Sequence, residues 1–307
     1  MNYIEPINQT KLFGLDKYMN ELIQLDQKNN FPNKLLISGY KGTGKSTLAH
    51  HYINYVLSKN QNFHYNKESF EINPENHAYK ITLNQTNPNF NIIDLNQDKK
   101  KIDINQIRSM ISNLSKSLFN DKPRFILIDN IEFLNVNSVN ALLKIIEEPP
   151  NNTFFILINN NKKILATLKS RCVNYKIILS NKESMFIAGC LLNKNITDLI
   201  NPSLIDYYMT PGKIYNLMRF SEDFSIDLKD INLKDFLSLI IDKAYYKKET
   251  SIKHLIYDFL EFYLTNKTFF KNFNFSNYFK KRIENVKNFN LDEESLFIEF
   301  KHKVLND

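Results

Sequence analysis

The segment GYKGTGKS, residues 39–46, has the residue types and spacing of a phosphate cradle: a glycine, four residues, then glycine, lysine and serine. Gly39, Gly42 and Gly44 let the backbone curl until its N–H groups point inward, and a helix starting at once adds the partial positive charge of its first turn. Lys45 would bridge the outer phosphates and Ser46 would hold a magnesium ion, with Thr43 and Thr47 completing the binding set. The flanks are correct, with the apolar NKLLISG before the loop and KSTLAHHYINYVLSKN after it. Capability to bind ATP or ADP with magnesium follows. A loop kept for packing alone is the competing reading.

A second group of residues bears on turnover. RFILID reads as a buried strand ending in Asp129, positioned to complete a magnesium shell beside the loop. Asn130 stands where a nucleotide-hydrolysing site ordinarily carries a glutamate. An amide orients water but accepts no proton, and loss of such a base commonly costs about 10²–10⁴ in rate. Glu132, if the strand continues, shares Asn130's side but lies too far along to substitute. Nucleotide binding with weak or absent turnover is expected.

These residues need a sheet to hold them. Strand-like and helical segments alternate through the first half, which predicts a parallel sheet covered by helices, an α/β class. NFNIIDLN and TFFILIN supply further strands. Between them Ile104, Ile107, Met110, Ile111, Leu114 and Leu118 fall on one helical stripe. In NVNSVNALLKIIEEPP, Val139, Leu142, Leu143 and Ile146 share a face, Asn135 or Asn137 caps the start, and Pro149 with Pro150 ends the helix. Residues 66–89 read as a poorly periodic connection. After KIILS, near Ser180, strand signals fade, and a small helical unit broken by TPGK precedes aromatic-rich amphipathic helices.

Composition narrows the function classes. The 307 residues are 43% hydrophobic and 24% charged, an ordinary globular composition for which disorder is not the default and which suits two or three domains. No apolar run reaches membrane-spanning length and the start has no signal-peptide pattern, so a cytoplasmic protein without a membrane partner is expected. Cys172 and Cys190 lack zinc-site spacing and read as reduced thiols. The formal charge of +7 admits a DNA-facing surface, while the richness in Asn, Lys and Ile admits an ordinary solvated one; both readings stand.

With the phosphate loop, ILIDN, SVNALLKIIEEPP and LKSRC in order, the chain resembles the bacterial clamp-loader AAA+ subunits, most of all the delta prime subunits of DNA polymerase III. The resemblance runs from KLFGLDKYMNELI to TPGKIYNL. It implies a P-loop AAA+ domain over residues 1–180, a helical lid over 181–225 and an all-helical collar over 226–307 that holds a five-subunit ring together. It implies partners too: clamp-loader motor and delta subunits, the sliding clamp, and primed DNA reached through the assembly. Arg171, in SRC, would reach a neighbouring subunit's ATP as an arginine finger, against the alternative of a surface arginine paired with a local carboxylate.

Several positions depart from that family. The stretch 60–89 has no cysteine where relatives carry a zinc module, so no zinc is expected. The polar residue sensing the terminal phosphate would be Asn159, with Ile158 competing for the alignment. Lys213 stands nearest to the missing lid arginine and offers one charge without the guanidinium fork. FGLDKYMNELI either wraps adenine, as in the family, or is an amphipathic helix with Leu15, Met19, Leu22 and Ile23 inward. The expected function is a non-motor ring subunit aiding ATP-dependent clamp loading. The alternative is a working ATPase motor of the same type or a related AAA+ remodeller. A small-molecule P-loop kinase has no use for LKSRC or the helical C-terminal third.

Overall fold

The computed structural model describes residues 5–95, 101–115, 120–205, 207–248, 250–266, 273–289 and 291–306. The chain divides into two compact units, Asn2–Leu179 and Ser180–Asp307.

In the first unit the order is α1 (Asp16–Gln27), β1 (Lys34–Ser38), α2 (Lys45–Leu57), α3 (His77–Leu83), β2 (Phe90–Ile93), α4 (Ile104–Leu114), β3 (Arg124–Ile128), α5 (Val136–Glu147), β4 (Thr153–Asn159), α6 (Ala166–Lys169) and β5 (Val173–Lys176). The five strands form one sheet in the order β2-β3-β4-β1-β5, and every pairing is parallel. Register places Ser38 opposite Asn159, and Ile93 opposite Ile128. Four strand ends that carry candidate chemistry therefore come out along one edge of the sheet.

Alternation along the strands sends residues to two faces. Leu36, Ile126, Ile128, Phe155 and Leu157 pack with Ile107, Met110 and Leu114 of α4 and with Val139, Leu142 and Ile146 of α5. Phe125 points the other way and meets Tyr52 of α2 edge-on, with ring centroids 6.1 Å apart. Burial of each such side chain contributes about 1.5–3 kcal/mol, so the two faces together fix the strand ends firmly. The helical stripe expected from Ile104 onward is present through Leu114; Leu118 lies outside the described residues. Asp103 and Gln106 close a capping box at the start of α4, and Asn135 caps α5 by accepting from Ser138 N–H.

Two segments differ from the sequence reading. The supposed connection 66–89 contains α3, capped by Asn76 and burying Ala78 and Tyr79. Seven residues are too few for a helical period to show. The last strand is VNYK rather than the apolar KIILS that follows it; as the sheet edge it is largely exposed, while Ile177 and Leu179 bury just beyond it.

The second unit is helical: α7 (Asn181–Leu192), α8 (Pro202–Ile205), α9 (Pro211–Phe224), α10 (Leu233–Asp242), α11 (Tyr245–Lys248), α12 (Thr250–Thr265), α13 (Phe273–Phe289) and α14 (Glu293–Phe300). Ser180 and Glu183 form a capping box that starts it. Phe220 of α9 packs edge-on against Phe236 of α10, which packs on Phe259 of α12, so helices on both sides of residue 225 share one aromatic core. Lys213 of α9 and Asp258 of α12, both partly exposed, form an ion pair at 2.7 Å between two of these helices. Among the described residues no helix is long and apolar enough to cross a membrane.

Candidate functional site

The phosphate loop turns directly out of β1 into α2, with Gly44 at the helix N-cap in the left-handed region, φ +83°. A Cβ at Gly44 would stand 2.9 Å from a methyl of Leu15, and one at Gly39 would stand 2.6 Å from the Ile177 carbonyl oxygen. Gly39 is thus required by space against a fixed backbone atom, and Gly44 chiefly by its left-handed conformation. Leu15 is buried beneath the loop, and Met19, Leu22 and Ile23 bury along α1, so the N-terminal segment packs as an amphipathic helix whose entry lies against Gly44.

Thr43 donates its hydroxyl to the Tyr40 carbonyl at 3.0 Å and braces the turn. Lys45 is buried, and its ammonium donates to the carbonyls of Gly39 at 3.0 Å and Tyr40 at 2.6 Å. Burial pulls this amine down to about 8, with Asp129 and Glu132 opposing the shift. A cation so desolvated gains from any anion entering the loop. The helix N-terminus behind it adds to the same field.

Asp129 follows β3 and is reached by the Ser46 hydroxyl. Its carboxyl is pushed up to about 6, first by burial and then by the negative charge of Asp94, while hydrogen bonds from Ser46 and from Asn130 N–H, and the charge of Lys45, pull the other way. A carboxylate held so unfavourably beside a serine hydroxyl is the donor pair for a hard cation such as magnesium. The glycine cradle, the buried ammonium and the Ser46–Asp129 pair together fit a magnesium-bound nucleotide triphosphate or diphosphate.

Asn130 sits in the left-handed region, φ 56° and ψ 44°, where asparagine is among the least strained residues bearing a side chain. Its amide donates to Asp94 Oδ1 at 2.6 Å, and its carbonyl oxygen accepts from Asn160 Nδ2 at 2.7 Å. The strand does not continue to Glu132. It ends at Ile128, and a 3-10 turn, Ile131–Phe133, swings Glu132 round so that its carboxylate accepts from the Asn160 side chain at 2.9 Å and its backbone N–H at 3.3 Å. Glu132 therefore joins the Asn130 network instead of pointing along the strand.

Asn159, at the end of β4, uses its amide locally: Nδ2 donates to the Lys162 carbonyl at 2.9 Å and Oδ1 accepts from Lys162 N–H at 3.0 Å. The amide that faces the Asp129–Asn130 end is Asn160. Neither Asn160 nor Asp94 was singled out from the sequence. Asp94 carried a readable signal, since it follows an apolar strand just as Asp129 does.

Arg171 lies on the exposed side of the same unit, after α6. Its Nε and Nη2 both contact Glu147 Oε1, at 2.9 and 2.6 Å, and Nη1 donates to the Thr167 carbonyl at 2.9 Å. The arginine has the local carboxylate partner of a surface residue, and nothing in the sequence pointed to Glu147. Lys213 belongs to the helical unit, in its ion pair with Asp258.

The profile of the family described as DNA polymerase III, delta subunit, matches residues 14–180. The chain is 27% identical over 240 residues to the DNA polymerase III subunit gamma/tau of Mycoplasma genitalium, covering 74% of this chain and 38% of that protein. It is 28% identical over 151 residues to the subunit delta prime of Pseudomonas aeruginosa, covering 49% of this chain and 44% of that one. The chain thus spans less than half the length of these relatives. Among solved structures, a DNA polymerase III gamma subunit-related protein from Thermotoga maritima superposes with a TM-score of 0.53 at 16% identity, covering 93% of this chain and 97% of that one. With the all-parallel sheet and the phosphate loop at the end of its β1, that likeness gives the P-loop AAA+ fold. Since the profile spans the phosphate loop, the acid strand and the arginine segment in a single match, the chain belongs to the DNA polymerase III delta subunit family.

Proposed function

We propose that this chain is a non-motor subunit of a DNA polymerase III clamp-loader assembly, one that binds nucleotide with weak or absent turnover and presents Arg171 to the ATP of a neighbouring subunit. The observation that carries this reading is Asn130: a neutral amide stands at the water-activating position, fastened on one side to Asp94 and on the other to Asn160. It can hold a water but cannot take its proton.

In this reading Lys45 and the backbone N–H groups from Gly42 to Thr47 hold the phosphates, and Ser46 with Asp129 holds magnesium. The cation, when bound, neutralises phosphate charge and repays the cost of keeping Asp129 ionised. Asn159 would sense the terminal phosphate on exchanging its bonds to Lys162, and Lys213, paired with Asp258, offers the single charge nearest to the missing lid arginine. Residues 181–225 act as lid and 226–307 as the collar of a five-membered hetero-oligomeric ring, in the cytoplasm, with delta and motor subunits, the sliding clamp and primed DNA as partners. Zinc has no part.

A second reading, a working ATPase motor, draws support from the intact loop, with Ser46 among the groups that favour the ionised form of Asp129, and from two carboxylates, Asp94 and Glu132, bound to the Asn130–Asn160 pair. The deciding experiment is steady-state ATP hydrolysis by the reconstituted assembly, with primed DNA and clamp, after the phosphate-loop lysine of every other motor subunit has been replaced. The non-motor reading expects no residual turnover. Turnover that persists and is abolished by Lys45→Ala would establish the motor instead. In the assembly with intact motors, Arg171→Ala should lower hydrolysis while leaving the ring assembled.

A further inference from the structure

Arg171 does not hang free. A guanidinium has five N–H groups, and three are engaged here: two on the single oxygen Oε1 of Glu147 and one on the Thr167 carbonyl. That leaves one N–H group on each terminal nitrogen beyond these contacts, on a side chain that stays partly exposed.

Glu147 is in an electrostatically unfavourable place of its own. It is the last residue of α5, where the helix's exposed carbonyls carry partial negative charge, and Glu148 follows it before Pro149 and Pro150 forbid another turn. Two acids at that end of a helix weaken it unless a cation lies beside them. Lys144 lies in the same last turn, and a second cation, Arg171, is brought in from 24 residues away by α6 to contact Glu147 directly. Glu147 is about half exposed and Arg171 is partly exposed, so as a stability device the pair is worth little. Its geometric effect is larger: a long, rotamer-rich side chain is fixed in direction by a helix end that two prolines make rigid.

We propose that Glu147 is the positioning residue of the Arg171 finger, holding the guanidinium so that its two unengaged N–H groups are aimed outward at the terminal phosphate oxygens of a nucleotide bound by another subunit. The inference rests on the finger reading above. Ordering the arginine before the neighbour docks removes that cost from the step in which charge builds up on the transferred phosphoryl group. The side chain of Glu147 never touches the nucleotide, so its loss should act on kcat through Arg171 and leave KM for ATP nearly unchanged.

The test uses the full reconstituted assembly with primed DNA and clamp, compared as wild type, R171A, E147A, E147Q and the double variant E147A/R171A. Ring assembly is followed by gel filtration, and kcat and KM are read separately. R171A should lower hydrolysis at least about 10-fold. E147A should lower kcat about 3–10-fold at constant KM, and E147Q, whose carbonyl still accepts the two bonds, should recover most of it. The double variant should be no slower than R171A alone. Should E147A fail to assemble, E147D, which keeps the charge but withdraws it by one methylene, carries the same comparison. An E147A enzyme as fast as wild type, beside a slow R171A, overturns the positioning role alone. So does a double variant slower than R171A by the full E147A factor. An R171A enzyme as fast as wild type overturns the finger reading, and the role of Glu147 with it.

Discussion

Asn130 and Asp94 meet across the ends of two adjacent parallel strands, the amide of one donating to the carboxylate of the other at 2.6 Å. The neutral partner lies beside Asp129 and the charged one lies a strand further out. Reversing the pair separates the two. Asn130→Glu should crowd a fourth carboxylate among Asp94, Asp129 and Glu132 in a left-handed backbone, and destabilise the first unit by about 1–3 kcal/mol. Asp94→Asn added to it should restore the hydrogen bond with its polarity reversed and recover most of that loss. Urea unfolding midpoints of the two variants give the answer; no recovery would mean that Asp94 and residue 130 do not interact.

Lys45→Ala should leave the unliganded stability within about 1 kcal/mol, because the ammonium donates to loop carbonyls and its desolvation cost offsets its attraction to Asp129 and Glu132. It should abolish stabilisation by magnesium nucleotide, which for the native chain at a hundred times Kd amounts to about 2.7 kcal/mol. Thermal unfolding with and without MgATP and MgADP measures both. An unchanged ligand shift in the variant would move the nucleotide to another site.

Gly39→Ala sets a methyl 2.6 Å from the Ile177 carbonyl, a backbone atom that cannot rotate aside. The expected cost is about 2–4 kcal/mol, together with loss of the loop's phosphate geometry. A stability within 0.5 kcal/mol of wild type, roughly the range of innocuous surface changes, would show that the loop opens freely there.

His51 is fully buried. Its Nε2 must carry the proton, since it contacts the Gln9 carbonyl at 2.9 Å, and Nδ1 then accepts from the Tyr65 hydroxyl at 3.0 Å. Burial lowers it to about 4, and its neighbour His50 to about 3. Between pH 6.5 and these values the unfolded chain binds more protons than the native one, so stability is full above pH 6.5 and falls as the solution is acidified. By pH 5 the loss is about 2 kcal/mol per histidine. Asp129, raised to about 6, acts in the opposite sense below that pH, so the informative quantity is the difference between wild type and His51→Gln. The variant should show a flatter decline in urea midpoint from pH 7.5 to 5; equal slopes would remove His51 from the titration.

Much of this was legible in the sequence wherever one local rule dominates. GYKGTGKS needs its glycines for space and turn geometry alone, and the apolar runs RFILI and TFFILIN have no other home than a sheet covered on both faces. Asn135 and the two prolines delimit α5 without reference to anything distant. VNYK is not legible because an edge strand need not be apolar, and α3 because a helix of about two turns is too short to show a period. Asn160, Asp94 and Glu147 were missed for a different reason: each acts on a residue 24 to 36 positions away, and only the sheet order brings the pairs together. The asparagine richness, read first as compositional bias, also has a local meaning. With only six glycines in the chain, asparagines at 29, 60, 130, 152, 161 and 193 take up left-handed positions. At 130 that backbone demand coincides with the loss of a general base.

The sheet order sets a timetable for the nascent chain. β1 is the first strand to leave the ribosome, yet its two neighbours are the last, residues 153–159 on one side and 173–176 on the other. At translation rates of about 5–20 residues per second, roughly 7–28 s pass before both edges of KLLIS are occupied. Until residues 153–159 emerge both edges of this apolar strand are open, and one stays open until residues 173–176 follow, the condition under which chains stick to one another. Any fragment ending before Val173 keeps at least one edge open permanently, so the first unit is expected to need chaperone shelter until the strand that follows Arg171 has been made.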